Sequence, residues 1–353
     1  LFAGIGFMCR ARRSGSLTAA TIGGFTAGLA LLVEYGAGFA GIPIGLFLLA
    51  GLRKPKGTQV MIIATCFAAI PIIALLAYHQ EAFGSAFSTG YHHVINPDFA
   101  EKHGQGFLGL SYPKWAAFHT HILSPNGGLL WWAPLFPLGL IGLAREIKDG
   151  EYREEAILFL SFILLMILVG SSLSFDGGWR IGPRYMVVAL PGLILGWQRY
   201  FSDLGPGWRW GLVAALSTWS ITINGLTGHL FPHLDLTHIV YPWSDVIRPL
   251  LMADCRPDIL FGPAGVMLWV LGGGAVLLLG FLLIQHQKCS LRTSLAGIFT
   301  GLLLLVLLPP SDGRNRDKNL DYIIAQHTCG DANERPRSFV IRPLKKAEET
   351  SDE

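Results

Sequence analysis

Asp176, Arg180 and Arg184 fall within nine residues, in the stretch from Phe175 to Gly192 that leads from a glycine-rich polar turn into an apolar run. Trp179 and Tyr185 sit beside them. Charges at the mouth of an apolar segment are costly unless they are paired or hold something. Aromatic residues there mark the level of lipid headgroups. The cluster reads as the rim of a site that faces lipid on one side and water on the other. Arginine suits a phosphate-bearing lipid, because its guanidinium offers a planar fork of donors. Arg184 is the first candidate and Arg180 the second; the other reading of Arg184 is a snorkelling residue that anchors a helix end. Pro183 and Gly182 would start a helix cleanly, placing its N-terminal partial charge beside Arg184. Asp176 either orients one arginine or caps the turn.

Glu34 is the next candidate, in Leu31-Leu-Val-Glu-Tyr-Gly-Ala-Gly38. An acid in an apolar run points to function. Facing a paired arginine it would help to hold a phosphate-bearing lipid, or act as a base. The competing reading is a turn that meets water, which Gly36 and Gly38 suit. The histidines show no metal spacing. His92 and His93 are adjacent, and Pro232 interrupts the pair His229 and His233. No cofactor is expected. There is no phosphate-binding loop, dinucleotide fingerprint or haem-attachment motif.

The elements that must position these residues are apolar. Of 353 residues, 51% are hydrophobic and 14% charged, against about 25% charged in soluble domains. The net charge of +3 argues for neither nucleic acid nor an acidic partner. Apolar blocks separated by short polar loops indicate an all-α, polytopic transmembrane protein. Spans are expected at 16–33, 36–52, 58–78, 128–144, 155–173, 184–199, 210–228, 262–284 and 294–309. Leu1 to Cys9 reads as the tail of a further helix, which makes about nine or ten spans and suggests a fragment. The transmembrane domain is 1–309, with long outer loops at 79–127 and 229–261. The tail, 310–353, is charged and expected to be partly disordered on the outer side.

Lysine and arginine set the orientation. With Arg10–Arg13 on the cytoplasmic side, alternation puts Arg53, Lys54, Lys56, Arg145, Lys148, Arg153, Arg199 and Arg209 there as well. Ten of the eleven histidines then lie outside. In the first outer loop, Asn96 and Pro97 suit the start of a short helix, and Trp115 would lie on the membrane surface or pack over span ends. Trp131 and Trp132 belong to the outer headgroup belt. Cys255 and Cys329 share an oxidising compartment in this topology and are expected to form a disulfide.

Four stretches resemble the C-terminal two-thirds of bacterial multi-span glycosyltransferases of the GT-C superfamily, the group that includes the dolichyl-phosphate-mannose protein mannosyltransferases and aminoarabinose transferases. They are Gly28 to Tyr35, Ala77 to Tyr91, Leu123-Ser-Pro-Asn-Gly-Gly-Leu129 and Gly178-Trp-Arg-Ile-Gly-Pro-Arg-Tyr185. With the span order, they cover residues 16 to about 230. The resemblance implies a GT-C-like fold in a bacterial inner membrane, with a polyprenyl-phosphate-linked sugar donor whose head lies at the outer face. It also implies a catalytic acid in the first outer loop, which would precede residue 1. The substrate-binding set is then Glu34, His92, His93, Asp176, Arg180, Arg184 and Tyr185, among membrane lipids. The alternative is a non-catalytic subunit that uses the same scaffold to dock other membrane subunits.

Overall fold

The computed structural model describes residues 1–93, 95, 110–172, 182, 184–205, 207–230, 241–248 and 291–308. Of these, 81% are helical and none forms a strand. The chain divides into two compact units. The first comprises Leu1–His121, Phe136–Asp176 and Arg184–Asp203; the second comprises Ile122–Leu135, Gly177–Pro183 and Leu204–Glu353.

In the first unit, α1 (Phe2–Ser14) ends at Gly15, whose φ of 66° closes the helix without a Cβ penalty. The Ser16 hydroxyl caps α2 (Leu17–Val33) by accepting from the Ala19 N–H. A 3-10 turn over Tyr35–Ala40 leads into α3 (Gly41–Ala50). The next helix, α4 (Gly57–Phe83), has 27 residues and so a length of about 40 Å. It outreaches a hydrocarbon core of about 30 Å, and runs past the expected end at residue 78. After α5 (Phe136–Asp149) comes α6 (Arg153–Ser172). Both α4 and α6 are long and apolar enough to cross a membrane, and Leu17–Val33, Tyr35–Ala50 and Arg292–Leu307 are shorter apolar helices. The last helix of this unit is α7 (Leu193–Ser202).

Glycine lets these helices touch at the backbone. A Cβ on Gly24 would meet the Ala64 carbonyl oxygen at 2.1 Å, and one on Gly28 the Ala68 oxygen at 2.3 Å. This is small-residue packing of the kind that joins membrane helices, where burial in lipid offers no hydrophobic gain.

Charged side chains at several helix ends of the first unit pair with one another. Glu154 pairs with Lys54 at 2.5 Å and Arg12 at 3.1 Å, and Glu155 with Arg13 at 2.5 Å. Arg199 reaches Asp149 at 3.0 Å and Asp203 at 3.2 Å. Basic residues from several expected inner loops therefore share acidic partners near one another. Arg12 and Glu155 are buried, and such charges need these partners.

In the second unit, a single helical turn, Leu129–Trp132, precedes α8 (Arg209–Leu230), a π turn at Trp243–Ile247 and α9 (Leu291–Leu307). Gly297 and Gly301 lie against the Gly211 and Ala215 carbonyls of α8, at 2.2 and 2.5 Å from a notional Cβ. The Trp243 indole and Arg248 donate to the Leu305 and Leu308 carbonyls, which closes the end of α9.

Two expected spans are not continuous helices. The run at 128–144 breaks at Ala133, because Pro134 disfavours helical geometry before it and supplies no N–H. The freed carbonyls are taken up by α8: Trp219 donates to Trp131, and Ser220 and Asn224 donate to Trp132. Trp132 is only 2% exposed, so it is a core residue rather than part of a headgroup belt. The run at 184–199 splits into Arg184–Val187, a 3-10 turn at Leu190–Gly192 and α7, with Pro191 at the interruption. The expected span 262–284 and the tail lie outside the described residues.

Candidate functional site

Two stretches far apart in sequence meet at one end of α2 and α4. The chain leaves α2 at Glu34 in an extended conformation, φ −147° and ψ 117°, and this turns Tyr35 toward the last turns of α4. The Tyr35 hydroxyl lies 2.7 Å from His79 Nε2. His79 Nδ1 lies 3.2 Å from the Ala86 carbonyl. A carbonyl only accepts, so Nδ1 carries a proton, and in the neutral ring Nε2 accepts from the tyrosine. His79 is 3% exposed and is thereby satisfied on both sides.

The segment after α4 folds over this pair. Gly84, with φ 73°, ends the helix. The Tyr91 ring meets Tyr35 edge-on at 5.9 Å, and the His93 ring stacks on Phe83 at 4.9 Å. His93 Nε2 lies 3.0 Å from the Ser88 hydroxyl, and His92 Nδ1 accepts the Thr89 N–H at 3.1 Å. Both histidines remain exposed beside this aromatic cluster.

Burial raises the Tyr35 phenol above its ordinary value near 10, and nearby Tyr91, Tyr78 and Glu34 push the same way. Tyr35 is therefore a neutral hydroxyl at physiological pH, able to donate to His79.

Glu34 is exposed, and its carboxylate accepts the Gly36 N–H at 3.4 Å. That is the local turn contact weighed above, and it leaves the second oxygen open to a ligand. Arg184 is exposed on its single turn, Arg184–Val187. The extended helix field expected beside it is absent, because Pro191 breaks the run. Neither Glu34 nor Arg184 forms an ion pair among the described residues. The Tyr185 ring meets His121 edge-on at 6.1 Å. Within the second unit, Gly182, at φ 62°, packs its backbone on Trp132; a Cβ would come within 3.2 Å of the indole. Asp176, Arg180, Cys255 and Cys329 lie outside the described residues. No group of three or more metal-ligating side chains occurs among the described residues.

His79 carries this arrangement, and sequence reasoning passed over it. The available signal was an imidazole one turn from the end of an apolar helix; its partner Tyr35 is 44 positions away. Replacing His79 with leucine is expected to leave the Tyr35 hydroxyl and the Ala86 carbonyl without their partner, at roughly 1–3 kcal/mol. Hydrogen exchange across residues 84–93 should rise in that variant, while exchange in α5 stays constant. Unchanged exchange at 84–93 would show that His79 does not pin the segment.

Comparison with family models, curated proteins and solved structures found no match to this chain.

Proposed function

We propose that this chain belongs to a membrane glycosyltransferase of about nine or ten spans, which moves a sugar from a polyprenyl-phosphate donor at the outer face of a bacterial inner membrane. The observation that carries the reading is the Tyr35–His79 bond, because it joins the first two of the four stretches that resemble GT-C enzymes. It places Glu34, His92 and His93 beside one aromatic cluster, at the end of a helix long and apolar enough to span. The packing of α2 on α4 through glycine suits a lipid surround.

In this reaction an acceptor hydroxyl forms a bond to the anomeric carbon of the sugar. The bond from that carbon to the phosphate oxygen breaks, and polyprenyl phosphate departs with the electron pair. The acceptor proton passes to a carboxylate. Arg184 is assigned to the departing phosphate and Glu34 to the sugar or acceptor side. Asp176, Arg180 and Tyr185 complete the substrate-binding set. The C-terminal tail lies on the outer side, and a Cys255–Cys329 bond would hold it to the loop at 229–261.

The test is a transfer assay on the native full-length polypeptide in proteoliposomes, with a radiolabelled polyprenyl-phosphate sugar. Donor-dependent release of polyprenyl phosphate and labelling of an acceptor are expected. Neither donor binding nor release would sink the enzyme reading and leave a non-catalytic subunit of a larger membrane complex in its place.

A further inference from the structure

Outside the residues used above, the first unit carries a groove of about 450 Å³ on the flank of α6. Its size is within the roughly 300–1,000 Å³ of small-molecule sites. Leu164, Ile167 and Leu168 form one wall; Trp115 and Phe118 form the other, with Lys114 at one end. The two aromatic rings stack at 5.1 Å. The segment before them is fastened to the helix end: Ser111 N–H donates to the Ser172 carbonyl and Lys114 N–H to the Ser171 carbonyl, both at 2.8 Å. Those bonds satisfy carbonyls that a helix terminus leaves open. They also fix where the Lys114 side chain starts.

The outward face of α6 says what fills this groove. Ile157, Leu164 and Leu168 are 45%, 54% and 52% exposed and share one helical face, while Phe162, Ile163 and Met166 are buried on the other. On a helix that crosses a bilayer, such a stripe faces acyl chains. The groove continues the stripe to the helix end, where the surface changes character. There Tyr112 and Trp115 are 73% and 71% exposed, as suits aromatic residues at headgroup depth. The Lys114 ammonium lies 5.4 Å from the centre of the Tyr112 ring. It forms no ion pair among the described residues. An apolar trough that ends in one cation beside an aromatic ring matches a lipid with an acyl chain and an anionic headgroup.

We propose that this groove is a binding site for an anionic glycerophospholipid of the bilayer, with one acyl chain along Leu164, Ile167 and Leu168 and the phosphate on Lys114. The site rests on the reading of α6 as a membrane span, and is separate from the sugar-transfer site in both residues and ligand.

The experiment uses the native full-length protein in nanodiscs of phosphatidylcholine with phosphatidylglycerol as the probe, followed by native mass spectrometry of retained lipid. Phosphatidylglycerol should be retained over phosphatidylcholine. Lys114→Gln should reduce the preference about fivefold, the equivalent of about 1 kcal/mol for one interfacial cation, and Lys114→Arg should restore it. Leu168→Trp fills the trough and should lower retention of both lipids; Leu168 is exposed, so the change leaves the core intact. A preference that is the same in Lys114→Gln and the parent protein would overturn the site. Alkaline extraction of native membranes checks the span separately. Release of the chain into the supernatant would overturn the membrane reading and the site together, whereas retention with no lipid preference would overturn the site alone.

Discussion

Replacing Gly142 with leucine should separate α5 from α7 and lower the melting temperature by roughly 4 °C, as a loss of about 3 kcal/mol would in a chain of this size. A Cβ at Gly142 would stand 1.7 Å from the Gly196 carbonyl oxygen, and one at Gly196 would stand 2.0 Å from that of Gly139. These neighbours are backbone, so no rotamer change relieves the overlap; one helix must move. Movement would also strain the ion pairs at the polar end of the same helix pair, where Arg199 meets Asp149. Glu146 is buried there and accepts the Tyr152 N–H at 2.6 Å. A matched control is Gly6→Ala, because nothing lies within 4 Å of its notional Cβ. That change should hold or raise stability, since alanine is the better helix former by about 1 kcal/mol. Thermal unfolding followed by circular dichroism in one detergent compares them. Equal melting temperatures for Gly142→Leu and the parent protein would show that the close crossing is not needed.

These crossings explain which parts of the fold were legible in the sequence. Long apolar runs announced α2, α4, α6, α8 and α9, because in each of them one residue class persists over several turns. Arg12, Arg13 and Lys54 stood out as basic residues beside apolar runs, but that they meet at Glu154 and Glu155 required the structure. The breaks at Ala133 and around Pro191 were hidden by the same hydrophobicity. Composition does not change across them, and only the prolines mark the missing N–H groups. Glycine spacing held more than was read from it. Gly24 and Gly28, like Gly297 and Gly301, follow the four-residue spacing that brings small residues onto one helix face. Their partners, Ala64, Ala68, Gly211 and Ala215, required the structure. The candidate site was only partly legible, for the same reason. Glu34, His92 and His93 stood out as polar residues beside apolar runs, but His79 is recognisable only once α4 brings it to Tyr35.

Arg184 is where the proposed chemistry has its largest expected effect. In the transfer step, negative charge develops on the phosphate oxygen as the sugar departs. A guanidinium placed at that oxygen binds the transition state more tightly than the ground state, so its removal should fall on kcat. Loss of one such donor typically slows turnover about 10²–10³-fold. Arg184→Ala is therefore expected to lower kcat by that factor in the proteoliposome assay, with a smaller change in KM. Arg184→Lys keeps the charge but loses the paired N–H groups, and should recover only part of the rate. The anchoring role gives a different pattern. Lysine also snorkels, so Arg184→Lys would then behave as the parent protein, and Arg184→Ala would alter membrane insertion or melting temperature with kcat unchanged. Because Arg184 is exposed and sits on one short turn, its truncation removes no core packing. A lost rate in a normally inserted, normally stable Arg184→Ala protein thus identifies phosphate stabilisation, and an unchanged kcat rules that role out.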